Sequence, residues 1–317
     1  MKIGYKLPNC AGVLCEPEWV MPNTLVDLAR LAHGLGYESL WMHDHLLPPE
    51  EIQITEPVIL EPLVLIGQLA ATIPDILFGI ATLVLPLRDP VLLARQLATL
   101  NMLFPNRVIA GVGVGRYKSE FLACGSALFH ERGKVTTEYI QLIRNLWEHK
   151  TSSFDGAYRS VINARFSPKP NRYAAVPIWV GGNSRAAIQR AASLGDGYVP
   201  AAKLPEEIEE DKALLKHELE KNSRDPSDFP MGLSLTIDFP RQGESRTRSL
   251  EERGMHGHGR ERIVSGGIDE ITTRLNDFIL AGVNHFLLSF RASDLSELKE
   301  TMDRFASEVR PRLIAKA

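Results

Sequence analysis

The sequence is short of cysteine and aromatic residues, and it has no long uninterrupted apolar run. Each shortage excludes something. Three cysteines in 317 residues, Cys10, Cys15 and Cys124, are too few for a disulfide framework and odd in number. A reducing, cytoplasmic setting is therefore expected. No Cys/His pair partners Cys10 and Cys15 at zinc-site spacing, so no metal is expected. No stretch approaches the ~18 apolar residues of a membrane span. The opening MKIGYKLPN turns polar by Asn9 and lacks the apolar core of a signal peptide. With 36 basic and 39 acidic side chains the net charge is −3, which leaves no basic footprint for nucleic acid. A hydrophobic content of 44% excludes general disorder.

What is present is an alternation of strands and helices. Strand patterns lie at Lys2–Leu7, Glu38–Asp44, Ile76–Leu85, Arg107–Gly115, Pro177–Gly182, 196–201, Gly232–Asp238 and His285–Phe290. Helical patterns follow them, at Thr24–Leu35 with Asn23 as candidate cap, Pro57–Thr72 with a later start at Pro62, and 90–103 behind the cap Asp89. Others lie at Arg132–His149, 184–195, Pro205–Asn222, Ile268–Gly282 and Asp294–Val309. Eight strand-then-helix units without a linker read as one α/β domain over 1–317. A (β/α)8 TIM barrel is the natural closed arrangement, and a doubly wound open sheet is its rival. The rhythm is interrupted at Ser152–Pro170, which reads as a small hairpin after strand four. It is interrupted again at Pro240–Gly259, a polar, glycine-rich insertion or lid after strand seven.

In a barrel the chemistry gathers where strands end and βα loops begin. Strand one ends near Leu7–Asn9, and strand two in His43, Asp44 and His45. Three readings of that triplet compete: a metal site, an acid/base pair beside a cofactor, and histidines satisfied at a strand end. The metal reading lacks histidines on strands five and six. Gly111, Gly113 and Gly115 either bare the backbone to a flat ligand or make room for crowded barrel layers. They do not have the spacing of a dinucleotide fingerprint. Gly181 and Gly182 end strand five, and Asn183 or Ser184 caps the next helix. Amides and helix dipole there would suit a phosphate, or the segment is a plain capped turn. His256 and His258 belong to the 240–259 loop, where a solvated lid accounts for them as well as a ligand does.

The segments ESLWMHDHL, VLPLRDPVLLARQLATLNMLFPNRVIAGVGVGRYKSEFLACG, FDGAYRS, PIWVGGNSRAAIQRAASLGDGYVP and AGVNHFLLSF together resemble the luciferase-like flavin and deazaflavin oxidoreductases. The resemblance spans nearly the full length, and the central block is most similar to the branch that uses coenzyme F420. It implies a TIM barrel with a cofactor ring in its mouth. Asp44 and His45, with His43, would flank the ring as the catalytic group. A bulge at Ala81 and Thr82, often a non-proline cis peptide in this family, would back it. Gly113, Val114, Gly115 and Ser119 would accept the cofactor tail, and Gly181 and Gly182 its phosphate. The resemblance implies F420-dependent hydride transfer on a small organic substrate, or oxygen insertion with FMN as the alternative. It also implies a homodimer and a flavin or F420 reductase as partner. A sugar-phosphate dehydrogenase of this superfamily carries an acid just after the strand-four glycines, where this chain has Arg116.

Overall fold

The structure, a computed structural model, describes residues 1–10, 17–47, 51, 58–170, 176–240 and 263–314. The first half alternates β1 (Lys2–Lys6), α1 (Pro22–Gly34), β2 (Ser39–Met42), α2 (Pro62–Thr72), β3 (Leu77–Ile80), β4 (Leu83–Val84), α3 (Pro90–Leu103) and β5 (Val108–Gly113). Helices α4 (Lys118–Ala123) and α5 (Arg132–Glu148) follow, then an antiparallel hairpin of β6 (Ser152–Phe154) and β7 (Val161–Ala164). The second half runs β8 (Ile178–Gly181), α6 (Arg185–Leu194), β9 (Gly197–Val199), α7 (Pro205–Lys221), β10 (Gly232–Asp238), β11 (Ile263–Ser265), α8 (Ile268–Ala281), β12 (His285–Phe290) and α9 (Leu295–Arg304).

Ten of these strands form one curled parallel sheet in the order β11-β10-β12-β1-β2-β3-β5-β8-β9, with β4 also paired to β5. The β9 and β10 sides meet through the parallel bridges Tyr198–Met231 and Ala201–Ser234. The fold is α/β, as expected. The 241–262 stretch, with His256 and His258, lies outside the described residues, as does Cys15.

Some expectations sharpen and others shift. The strand expected at Ile76–Leu85 breaks after Ile80 and resumes as β4, at the cis Ala81–Thr82 peptide that the resemblance implies. The second helix begins at Pro62, because Glu61 caps it by accepting from the Val64 amide. Asn23 does not cap α1: Met21 holds the cap position without a side-chain bond, and Pro22 opens the helix. Asp89 caps α3 by accepting from the amides of Val91 and Leu92, as its sequence predicts.

Two apolar regions hold the fold. The larger lies between the sheet and its helices and takes the outward side chains of each strand, such as Tyr5, Leu40, Phe78, Leu235 and Phe286. The smaller lies on the concave face and consists of Trp41, Ile109, Trp179, Val199 and Leu287. The two indoles pack at 5.5 Å between ring centroids, each edge-on to His285. Glycines opposite give them space. A Cβ at Gly79 would stand 2.3 Å from the Trp41 ring, and one at Gly197 would stand 2.6 Å from that of Trp179. Burying an indole stabilises by a few kcal/mol only if the cavity matches its shape, and here the backbone supplies the match. The pair forms a plug, and the strand ends above it form the mouth.

Candidate active site

Above the plug, the ends of β1 and β2 are tied by Asn9, which is fully buried. Its amide nitrogen donates to the carbonyls of His43 and Leu60, and its oxygen accepts from the His43 amide. This clamp fixes the chain just before the two residues of greatest interest.

Those neighbours go to different anchors. Asp44 is buried and accepts from the Val84 amide at 2.9 Å and from Arg88 Nε at 3.0 Å through one oxygen. Its other oxygen accepts from Arg88 Nη2 at 2.6 Å. Arg88 also pairs with Glu61 at 2.9 Å. Burial works against the Arg88 cation, but the Asp44 and Glu61 carboxylates more than offset it, so its pKa rises above the ordinary value. Both Asp44 oxygens are thus engaged in fastening β2 to the segment after the cis peptide. That is a positioning arrangement.

His45 turns to α4. Its Nδ1 lies 3.2 Å from Glu120 Oε2, and Glu120 Oε1 accepts from the Leu46 amide at 2.9 Å. Glu120 is completely buried, whereas His45 is half-buried. The imidazole is therefore held on its Nδ1 side. The Tyr117 ring stands 6.1 Å from the His45 ring, and the exposed Arg116 guanidinium lies 5.5 Å from the Tyr117 ring.

The expected cofactor residues occupy one rim but not in one role. Ala81, Thr82, Val114, Gly115 and Gly182 are half-buried, so solvent reaches them. Gly111, Gly113 and Gly181 are buried, and the bulge explains them. A Cβ at Gly111 would stand 1.9 Å from the Ile80 carbonyl oxygen, at Gly113 2.4 Å from Thr82 Oγ1, and at Gly181 2.6 Å from Thr82 Cγ2. The strand-four and strand-five glycines thus make room for the Ala81–Thr82 turn. Ser119 donates to Glu51.

The expected phosphate loop is partly committed to the fold. The Gly182 amide donates to the Val199 carbonyl, and Asn183 exchanges two hydrogen bonds with the Ala201 backbone. Ser184 caps α6 by accepting from the Ala187 amide. The exposed residues left at the helix start are Arg185 and Ala186, whose amides have no intrahelical acceptor.

Sequence reasoning missed Glu120, Arg88 and Glu61. Glu120 carried one signal: a single acid just beyond the strand-four glycines, in the run KSEFLA, before an apolar pair. Arg88 carried none, because an arginine ahead of a helix cap reads as surface.

Comparison with known proteins agrees with this architecture. An F420-dependent glucose-6-phosphate dehydrogenase of Amycolatopsis mediterranei (strain U-32) is 23% identical, over 99% of both chains. A protein of the same description from Microbacterium testaceum (strain StLB037) is 28% identical over 74% of this chain and 69% of its own length. Among solved structures, an F420-dependent secondary alcohol dehydrogenase in complex with an F420-acetone adduct superposes with a TM-score of 0.82 at 19% identity, over 99% of both chains. The FMN-bound oxygenating constituent of 3,6-diketocamphane monooxygenase from Pseudomonas putida gives 0.81 at 15%, also over 99% of both. The sequence profile described as luciferase-like monooxygenase matches residues 1–278, and the chain belongs to that family.

Proposed function

We propose that this chain is an oxidoreductase of 1–317 built as one (β/α)8 barrel domain, using coenzyme F420 for hydride transfer with a small organic substrate. The observation that carries the reading is the end-to-end likeness to F420-dependent dehydrogenases, in sequence and in fold. The residues present fit such a group. The half-buried Ala81–Thr82 backbone would lie behind the ring, with Val114 and Gly115 beside it. The first turn of α6, with the Arg185 side chain next to it, would hold the phosphate. When bound, F420 supplies a ring carbon that accepts or returns a hydride.

The chain's own work is positioning and proton handling. His45 Nε2 takes the proton released by a substrate hydroxyl in the oxidising direction, and returns it in the reducing one. Glu120 orients the imidazole and stabilises it when protonated. Asp44 and Arg88 keep the bulge in register with β2. Arg116 stands where a sugar-phosphate dehydrogenase of this superfamily has an acid. Glucose 6-phosphate, named for the relatives, is therefore not carried over as substrate.

FMN with oxygen insertion is the second reading, because an FMN-bound monooxygenase superposes almost equally well. The insertion after strand seven, a homodimer and a reductase partner belong to either reading. Among the described residues no helix is long and apolar enough to cross a membrane. Separate titrations of the purified chain with F420 and with FMN, followed by cofactor fluorescence, test the choice. Tighter F420 binding without oxygen uptake is expected. Binding of FMN alone, with oxygen consumed, would overturn it.

A further inference from the structure

The concave wall opposite the bulge is polar, and packing alone does not account for it. Along β10, Leu233, Leu235 and Ile237 join the outer core, so Ser234, Thr236 and Asp238 fall on the concave face. Register places Leu288 of β12 between Tyr5 and Leu235. The next residues, Lys6, Ser289 and Thr236, therefore share one level, directly above Leu287 of the indole plug. Thr236 and Ser289 are hydroxyl to hydroxyl at 2.9 Å. Lys6 Nζ donates to Ser234 Oγ at 2.8 Å. Strands β1 and β10 are not neighbours, since β12 lies between them. The lysine side chain thus crosses over β12 along the concave face. At the rim, Arg291 reaches Asp238 at 3.4 Å, and Asp238 also accepts from Ser265.

Solvent reaches Lys6, Ser234 and Ser289, all half-buried, although Lys6 is level with the fully buried Trp41 and Ser234 with the fully buried Leu287. The interior of such a sheet is ordinarily filled by branched apolar side chains, and placing an ammonium there has a desolvation cost. A lysine at this level, bonded to a hydroxyl and reached by solvent, has the chemistry of an anion-binding group.

We propose that this wall is the substrate side of the mouth and that Lys6 anchors an anionic group of the substrate, a carboxylate or a phosphate. Ser234, Thr236 and Ser289 accept and donate to its oxygens or to neighbouring hydroxyls. The proposal rests on the oxidoreductase reading above for what happens to the substrate, but not for what Lys6 binds.

The test uses matched probes, lactate against lactamide and glycerol 3-phosphate against glycerol, titrated into the F420-loaded protein by tryptophan fluorescence and thermal shift. At least one anion should bind about tenfold more tightly than its neutral counterpart, as expected for one charge-assisted contact. The preferred pair identifies carboxylate or phosphate. Lys6→Met and Lys6→Gln should abolish the preference, and Lys6→Arg should retain most of it. F420 affinity should stay within about twofold in all three, because Lys6 lies across the mouth from the cofactor rim. Equal binding of both members of both pairs, or a preference that survives Lys6→Gln, would overturn the assignment. If F420 does not bind the wild type, the F420 reading fails. The same titration of the cofactor-free chain then still decides the role of Lys6.

Discussion

Replacing His285 by Gln should flatten the acid side of this protein's stability curve. His285 is buried at the base of the indole plug, and its Nε2 lies 2.8 Å from the Ser39 hydroxyl. Ser39 accepts from Trp41 Nε1 and so has its own proton to give to the imidazole. Burial first, and then the positive charges of Lys2 and the N-terminus, push the pKa of His285 from 6.5 down to about 3. The folded chain therefore holds a neutral ring, while the unfolded chain binds a proton below ~6.5. The stabilisation is fully present above that value and is lost as pH falls toward 3. Between pH 7 and pH 5 the loss is about 2 kcal/mol, and by pH 3 roughly 4 kcal/mol. Gln keeps an acceptor for Ser39 but cannot titrate. In urea melts at pH 7, 6 and 5 and constant ionic strength, the stability difference between wild type and H285Q should shrink by about 2 kcal/mol. Two curves that stay parallel would refute the argument that this imidazole is neutral in the fold.

The other two predictions concern the anchors of the mouth. Asp44→Asn removes one carboxylate from a nearly buried Arg88, leaving Glu61 as its remaining ion-pair partner. It should destabilise the fold by about 3 kcal/mol in denaturant melts, the lower end of breaking a buried pair; a loss below about 1 kcal/mol would place the pair among ordinary surface bridges. Glu120→Gln and His45→Ala should each lower turnover by about 10² or more, with the double variant no worse than His45→Ala alone. Independent, multiplying losses would show that Glu120 does not act through His45.

Much of the architecture was legible from the chain because two periodicities and a few caps carry it. The apolar stretches at β3, β5 and β8 are continuous because helices cover one side and the plug the other. Asp89, and Asn183 or Ser184, announced their helices because short polar side chains satisfy amides that the helix leaves open, and of the last two it is Ser184 that caps. What was not legible depends on which side chains meet after folding. Three readings of the triplet His43, Asp44, His45 competed, and in the fold the Asp44 and His45 side chains separate onto Arg88 and Glu120, while the His43 backbone pairs with Asn9. No spacing in the sequence encodes that Glu120, 75 positions after His45, arrives beneath it. The glycines were ambiguous for a similar reason. A bare backbone looks the same in sequence whether a ligand or a neighbouring chain fills the space, and here Thr82 and the Ile80 carbonyl fill much of it.

That filling connects the glycines to the chemistry. Ile80 and Thr82 stand on either side of Ala81, and the contacts of this segment reach β5, β8 and the residues after β2. The Ile80 carbonyl faces Gly111, Thr82 faces Gly113 and Gly181, and Val84, two residues on, donates its amide to Asp44. The bulge is thus gripped from β5 and β8 on one side and from the end of β2 on the other. A side chain at any of the three glycines would push the bulge toward the mouth, and losing Asp44 would release its far end. His45 follows Asp44 by one residue, so the imidazole and the backbone proposed to lie behind the ring are set by the same clamp. On the proposed reading, the distance between His45 and the ring is then a property of the sheet, not of a loop. This explains why residues engaged within the fold, Asp44 and Gly111 among them, sit beside the candidate site.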